Sequence, residues 1–241
     1  MKAVKTDPVY VFKQAMVKQT MNFYCYFRNM NGLFWLNQVI SESLRDTTFS
    51  KKCATSLVEE NNYKDINILI EALVTEDETT ALMSSNILFE VSKIKPSLLE
   101  GGVKSFAKVF NSKASNALLN NCLGILTALA PAKHNEIYKY ADKISDQLQN
   151  DDVDITDGLI DLLTVLSKYS KKNHQEICMV LKFVLLSCPV SDFIRYVEKV
   201  LPIIDRINCE EFRNVLSLRK QELKLSGQKK IEEILSAEIF A

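Results

Sequence analysis

Glycine, proline and histidine are scarce in this 241-residue chain, which has six glycines, five prolines and two histidines. Tight turns draw on glycine and proline, so the composition argues against a fold with many strand-to-strand turns. The chain also lacks the run of about 18 apolar residues that a membrane-spanning helix requires. Charged residues interrupt the first twenty positions, where a secretory leader would need an unbroken apolar centre. We therefore expect a soluble, cytoplasmic, all-helical protein.

The six cysteines are spread along the chain, and the closest two are ten residues apart. They form no Cys-x-x-Cys pair, and most lie within apolar stretches that have helical periodicity. A thiol in such a stretch packs as a small apolar group. The sequence therefore predicts reduced, structural cysteines rather than disulfides or a zinc site.

Charge is balanced overall, with 30 basic and 30 acidic residues. Residues 1–60 have an excess of three positive charges, residues 61–170 an excess of five negative charges, and residues 171–241 an excess of two positive charges. A protein that holds nucleic acid electrostatically has a much stronger basic surface. The composition therefore disfavours nucleic-acid binding as the main function.

Apolar residues recur with a period near 3.6 through most of the chain, which predicts amphipathic helices. In the clearest segment, 153–170, the residues close to this spacing are Ile155, Leu159, Leu162, Leu163, Val165 and Leu166. Polar stretches separate such segments, with predicted breaks near 61–62, 75–78, 95–96, 111–112, 131, 150–152, 170–173, 189, 207–208 and 226–227. Helices joined by short polar connections are typical of antiparallel helical pairs.

Three leucine-rich segments can be aligned as the second helices of successive pairs. They begin at Asn86, Asn121 and Asp161, at offsets of 35 and 40 residues. Weaker amphipathic helices, predicted at 65–74, 97–110 and 136–148, precede them. Over residues 65–170, and more loosely through 206, the chain resembles the HEAT/armadillo superfamily. The resemblance implies an all-α fold, an α-α superhelix of about five or six antiparallel helical pairs.

We expect one continuous helical-repeat domain over residues 1–241, with its repeat core at 61–206. Residues 1–60 contain nine of the 21 aromatic residues and would form an N-terminal cap or an oligomerisation element. Two polar helices in 207–241 would form the C-terminal cap. Caps are expected because the terminal pairs of a helical stack must cover an open apolar face.

The resemblance implies a non-enzymatic scaffold that presents a curved groove to a protein or peptide partner. Armadillo proteins hold an extended peptide with asparagines on their inner helices, because an amide offers both a donor and an acceptor. Asn86, Asn121 and Asp161 occupy equivalent positions in the alignment and are the candidate binding residues. We predict no catalytic residue, metal site or cofactor for this scaffold.

A first alternative is a nucleic-acid-binding or DNA-repair protein that uses a basic face, as some HEAT-like proteins do. The candidate phosphate contacts are Lys168, Lys171, Lys172, Arg213, Arg219, Lys220 and Lys224. Acidic residues interleave with the last four of these positions. That pattern favours a solvated helix face over a phosphate-binding surface.

A second alternative is a magnesium-dependent helical enzyme, because hard cations prefer carboxylate oxygens. The densest acidic patch consists of Asp151, Asp152, Asp154, Asp157 and Asp161. It departs from the DDxxD pattern of helical diphosphate-binding enzymes, and acidic residues at a helix start also favour the helix dipole. The two histidines, His134 and His174, have no second ligand at metal-binding spacing and are predicted to lie at the surface near helix starts.

Overall fold

The computed structural model describes residues 32–45, 48–75, 77–111, 113–149, 152–237 and 240. The chain divides into two compact units, Met1–Phe49 and Ser50–Ala241. The described helix of the first unit is α1, Gly32–Arg45. Most of the aromatic cluster expected to form the N-terminal cap, at residues 23–27, lies outside the described residues, so the cap stays a prediction.

From residue 48 onward, every regular element that the structure describes is helical. In chain order the helices are α2 (Phe49–Glu59), α3 (Tyr63–Thr75), α4 (Glu78–Ile94), α5 (Val103–Lys108), α6 (Asn116–Tyr138), α7 (Ala141–Ser145), α8 (Val153–Tyr169), α9 (His174–Ser187), α10 (Val190–Val200), α11 (Cys209–Lys220) and α12 (Leu225–Leu235). Short 3-10 segments extend α5 on both sides, at Pro96–Gly102 and Val109–Asn111, and follow α7 and α10, at Asp146–Gln149 and Leu201–Ile203.

The even-numbered helices from α4 to α12 stack side by side. For each two neighbouring helices of this set, the residues in contact are separated by a nearly constant number of positions in the sequence, which shows that the two helices run parallel. The contacting positions are 86 and 121, 89 and 124, 157 and 195, 161 and 199, 194 and 227, and 198 and 230. Each even-numbered helix is preceded by an odd-numbered one, from α3 to α11, which forms the other layer. Residues 63–235 thus confirm the predicted stack of antiparallel helical pairs.

The core of the stack lies between the two layers. Five of the six residues predicted for the apolar face of α8 are buried, whereas Val165 is half-buried; the buried five are Ile155, Leu159, Leu162, Leu163 and Leu166. Because α6 packs against both α4 and α8, it is buried along two sides. The even-numbered helices therefore supply most of the continuous core.

Glycine occurs where neighbouring even-numbered helices approach too closely for an unhindered side chain. A Cβ atom at Gly124 of α6 would lie 2.4 Å from the ring of Phe89 in α4. A Cβ atom at Gly227 of α12 would lie 3.0 Å from Ile194 of α10. Since no described glycine has a positive φ, these positions reflect packing rather than backbone conformation.

The predicted break at Pro131 is wrong. Helix α6 continues through Pro131 to Tyr138 and bends at Lys133, whose φ and ψ are −122° and 19°. A proline removes one helical N–H and crowds the preceding turn, so a bend is the expected compromise. The end of α6, the short α7 and a 3-10 segment therefore occupy 136–148 instead of one helix. The break predicted at 226–227 falls inside α12; the actual break is at 221–224.

The connections between successive pairs are tied to each other by polar side chains. Lys95 Nζ donates to Asn61 Oδ1 at 2.7 Å, Lys133 Nζ lies 3.2 Å from Glu100 Oε2, and Tyr138 Oη donates to Glu176 Oε2 at 2.6 Å. Asn61 has a positive φ of 49°, a conformation that asparagine tolerates well at the end of a helix. Each contact therefore joins the region around one connection between pairs to the region around the next such connection.

The described cysteines are all free thiols, which agrees with the structural role predicted for them. Four of them are buried, and burial raises the pKa of Cys122 to about 12. None of the described helices combines the length and apolar character needed to cross a membrane.

Candidate functional site

Asn86 of α4 and Asn121 of α6 are in direct contact, as expected for equivalent positions on neighbouring helices. Asn121 Nδ2 donates to Asn86 Oδ1 at 2.8 Å and to Ser85 Oγ at 2.9 Å. Within the described residues, Asn121 Oδ1 accepts no hydrogen bond, and the one contact of Asn86 Nδ2 is with Met83 Sδ at 3.9 Å. Both side chains are half-buried, and neither amide has an orphaned buried atom. The acceptor Asn121 Oδ1 and the donor Asn86 Nδ2 therefore remain available to a ligand.

Helix α6 adds a further amide beside this pair. Asn120 is exposed and directly precedes Asn121 in the helix. Asn116, one helical turn before Asn120, lies on the same side of α6, but its Nδ2 donates to Asp152 Oδ2 at 2.7 Å. We name Asn86, Asn120 and Asn121 the amide face. The sequence alignment did not identify Asn120 as a candidate binding residue, although the asparagines at 116, 120 and 121 fall within about one helical turn of each other.

Asp161 does not continue the amide face. Contacts between α6 and α8 join Asn116 to Asp152 and Asn120 to Gly158, at offsets of 36 and 38 residues. By this register Asp157, rather than Asp161, is level with Asn121. The alignment offset of 40 residues placed the equivalent position about one helical turn too far along α8.

The carboxylates of α8 face cations of α10. Asp161 Oδ2 accepts a hydrogen bond from Lys199 Nζ at 2.6 Å. Asp157 lies 3.3 Å from Arg195 Nη2 and 3.7 Å from Lys199 Nζ. This part of the even-numbered layer is therefore a network of ion pairs rather than a row of amides.

Asp152 caps the N-terminus of α8. Its Oδ1 accepts the backbone N–H groups of Asp154 and Ile155 at 2.9 and 3.2 Å, and its Oδ2 accepts the bond from Asn116 described above. The bond from Asn116, followed by those from the backbone, lowers the pKa of Asp152 below its usual value. Among the described residues, which exclude Asp151, no group of three or more side chains could hold a metal ion.

Of the basic residues predicted to contact phosphate groups, some are exposed without an ion pair to any described residue, and others form ion pairs with acidic side chains. Lys168, Lys171, Lys172 and Lys224 are exposed. Lys220 Nζ lies 2.6 Å from Glu232 Oε1, and Arg213 Nε lies 3.8 Å from Glu210 Oε2. The structure therefore brings three of the exposed lysines together in one segment, at the end of α8 and the start of the following connection.

Arg219 is buried, contrary to its expected role as a phosphate contact. Its Nη1 donates to the carbonyl oxygens of Leu185, Leu186 and Cys188 at 2.8, 2.9 and 3.0 Å. These are carbonyls at the C-terminal end of α9, which have no partner within the helix. On the other side, Nε and Nη2 contact Glu222 Oε2 at 2.9 and 2.8 Å. The guanidinium therefore joins α11 to the end of α9.

His174 is half-buried rather than at the surface, and a polar cluster surrounds it. Its Nδ1 lies 2.7 Å from Ser167 Oγ, and its Nε2 lies 3.2 Å from Asp205 Oδ2, 3.1 Å from Asn208 Nδ2 and 3.6 Å from Cys178 Sγ. Burial raises the pKa of the Cys178 thiol, which keeps it protonated and a poor nucleophile. We assign the cluster a structural role in joining α8, α9 and the connection before α11.

His134, the other histidine, lies inside α6 just after the bend, and not near a helix start as predicted. Its Nδ1 is buried, and no described group bonds to it. Among the described residues it belongs to no group of three or more side chains that could hold a metal ion.

Comparison with known proteins defines the fold as that of armadillo repeat proteins. Two designed armadillo repeat proteins, one of them described as a complex with the peptide (KR)4, each superpose with a TM-score of 0.62 at 11% identity over 86% of this chain. They are covered over 99% and 100% of their lengths, respectively. An engineered protein from a structural genomics consortium gives a TM-score of 0.60 at 12% identity, with 86% of this chain and 90% of that chain covered. No protein-family model and no curated protein matches the sequence.

Proposed function

We propose that the chain is a non-enzymatic protein-interaction scaffold whose amide face holds an extended segment of a partner protein. The observation that carries the proposal is the bonded pair Asn86 and Asn121 on adjacent parallel helices. The pair presents a donor at Asn86 Nδ2 and an acceptor at Asn121 Oδ1. A peptide group offers the complementary acceptor and donor, so the backbone of an extended peptide fits this pair without regard to its side chains.

The proposed partner segment is neutral or basic. Residues 61–170, which contain the amide face, have an excess of five negative charges. The armadillo neighbour described as a complex with (KR)4 has a similar fold, and that peptide is a suitable first probe. The matched acidic probe is (ED)4, which we expect to bind at least tenfold more weakly.

The test is a peptide-binding titration with the whole chain, followed by fluorescence anisotropy. The affinities of (KR)4 and of peptides from a random library are measured for the natural chain and for the variants Asn86→Ala and Asn121→Ala. Loss of one hydrogen bond worth about 1 kcal/mol weakens binding about fivefold. N-methylation of a single peptide group in the best binder should weaken it similarly, because it removes the backbone donor.

The control is Asn67→Ala, which removes an exposed asparagine from α3 in the other layer. It should leave the affinity unchanged. Equal effects of Asn67→Ala and Asn121→Ala, or full tolerance of N-methylation at every position, would exclude backbone recognition by the amide face.

A second candidate function is binding of nucleic acid at the α8–α9 connection. Lys168, Lys171 and Lys172 are all exposed within five residues, and no described acidic side chain forms an ion pair with them. A duplex and a single strand of DNA or RNA are titrated at several salt concentrations. Three phosphate contacts predict a slope of log affinity against log salt near −3, reduced by about one on Lys171→Ala. A slope near zero would exclude this function.

A further inference from the structure

Helix α9 exposes a stripe of large apolar side chains. Met179, Phe183 and Leu186 are 58%, 66% and 43% exposed, and their spacing of four and three residues puts them on one side of the helix. Leu218 on the neighbouring α11 is 62% exposed. A groove of about 380 Å³ lies between the two helices, with Met179, Phe183 and Leu186 on one side and Val215 on the other. Leu218 lies outside this lining, about one helical turn beyond Val215 on α11.

The exposed positions of the same layer are mostly polar elsewhere. In the middle of α3 they are Lys64, Asn67 and Glu71, with Tyr63 and Val74 exposed only near the two ends of the helix, and those of α5 are Lys104 and Lys108. Stacking of the pairs therefore does not require large apolar side chains on this outer surface. A contiguous apolar stripe on a mostly polar layer marks a binding surface, whereas single exposed apolar side chains do not.

The size of the patch decides between a second copy and a smaller partner. Four large side chains, each about half to two-thirds exposed, present about 400 Å² of apolar surface. A stable dimer buries about 800 Å² from each copy, twice this area. One face of a short amphipathic helix, with three or four apolar side chains, matches the patch.

The charges in the groove favour a partner held by apolar contact. Lys182 and Glu211, which lie on opposite sides of the groove, form an ion pair with each other. On the same helix as Glu211, Arg213 lies near Glu210. Since these charges neutralise one another, the groove has no net field that would attract a polyanion or a polycation.

We propose that the groove between α9 and α11 binds an amphipathic helix of a partner protein. The partner helix carries large apolar residues at positions i, i+3 or i+4, and i+7, which pack beside Phe183, Leu186 and Leu218. The groove belongs to the odd-numbered layer, whereas the amide face belongs to the even-numbered layer. The scaffold can therefore hold two partner segments at once, one helical and one extended.

The test is a display selection of helix-stabilised 16-residue peptides on the whole chain, with the selected peptides then measured by fluorescence anisotropy. We expect the enriched sequences to share apolar residues at i, i+3 or i+4, and i+7. The best binder should weaken at least tenfold on Phe183→Glu and on Leu218→Glu. Both side chains are mostly exposed, so these variants fold, as an unchanged circular dichroism spectrum will show.

The control variant is Ser217→Glu, which adds the same charge at an exposed position of α11 beside Leu218. It should change the affinity less than twofold. A peptide of the same composition with its apolar residues at i, i+2 and i+5 should not bind. Asn121→Ala should have no effect, which separates this site from the amide face.

Three results would overturn the proposal. The first is enrichment of sequences without the apolar spacing, and the second is equal binding by Phe183→Glu. The third is a concentration-dependent dimer in sedimentation analysis that Phe183→Glu abolishes, since the groove would then be covered by a second copy.

Discussion

Replacement of Arg219 by alanine should destabilise the C-terminal part of the stack severely. Arg219 is only 6% exposed, and one of its nitrogens donates to three carbonyl groups at the end of α9. Nη1 carries two hydrogens that the three carbonyls share, so the loss is close to that of two charge-assisted hydrogen bonds of about 1.5–3 kcal/mol each. The salt bridge to Glu222 and the contact with the Phe193 ring, 5.0 Å from the guanidinium, are lost as well. We expect a total loss of about 3–5 kcal/mol.

The measurement is urea denaturation followed by far-ultraviolet circular dichroism at neutral pH. The matched control is Arg213→Ala on the same helix, whose half-exposed side chain makes a surface ion pair worth about 0.5 kcal/mol. Arg219→Lys keeps the charge but cannot reproduce the planar fork, so its stability should lie between those of the natural chain and Arg219→Ala.

Amide hydrogen exchange distinguishes a loss of stability confined to the C-terminal helices from a loss throughout the stack. Because each pair in a helical stack contacts only its neighbours, α11 and α12 can open while the other pairs stay folded. In Arg219→Ala the amides of α11, α12 and the end of α9 should exchange faster than those of α4 and α6. If Arg219→Ala is within 1 kcal/mol of Arg213→Ala and its exchange is unchanged, Arg219 does not close the end of α9.

Gly124→Ala should lower the urea midpoint, because about 1–3 kcal/mol of overpacking against the ring beside it outweighs a gain of about 1 kcal/mol in helix propensity. The control is Gly101→Ala, which should not lower the midpoint because no atom lies within 4 Å of the new methyl group. Equal urea midpoints for Gly124→Ala and Gly101→Ala would refute the close approach of α4 and α6 at Gly124. Leu163→Asp buries a charge at a position 2% exposed and should abolish the cooperative transition; an unchanged melt would show that the register of α8 is wrong. Burial and the hydrogen bond to Glu176 raise the pKa of Tyr138 from 10.0 to about 12, so the associated stability is complete below pH 10 and is lost as the pH rises toward 12. Absorbance at 295 nm should show this pKa falling toward 10.0 in Glu176→Gln, and no change would assign the shift to burial alone.

The second helices were predictable because their chemistry is repetitive. In α8 the leucine and isoleucine spacing alone identifies the buried face, and the contact between Asn86 and Asn121 follows from an alignment of sequence. The first helices were harder to predict because α5 and α7 are short and continue as 3-10 turns. Their weaker periodicity reflects those irregular segments rather than a different fold.

Long-range partners of polar residues could not be predicted in the same way. In sequence, Arg219 is a charged residue in a polar helix, and only packing brings it to the end of α9. One signal was present: α9 ends just before Cys188-Pro189, without a glycine cap, so its last carbonyls need another donor. Similarly, His174 and Asn208 are 34 residues apart, close to one repeat, which could have identified them as neighbours.

The ties between successive connections have a consequence for how the chain folds. Lys95 reaches a residue 34 positions earlier, and Tyr138 one 38 positions later, so these contacts close loops of only one repeat. Contacts of such low sequence separation form quickly, because little chain entropy is lost in closing each loop. During synthesis, α3 to α6 can therefore complete their packing before α11 and α12 exist, and the folded part then templates each pair that follows.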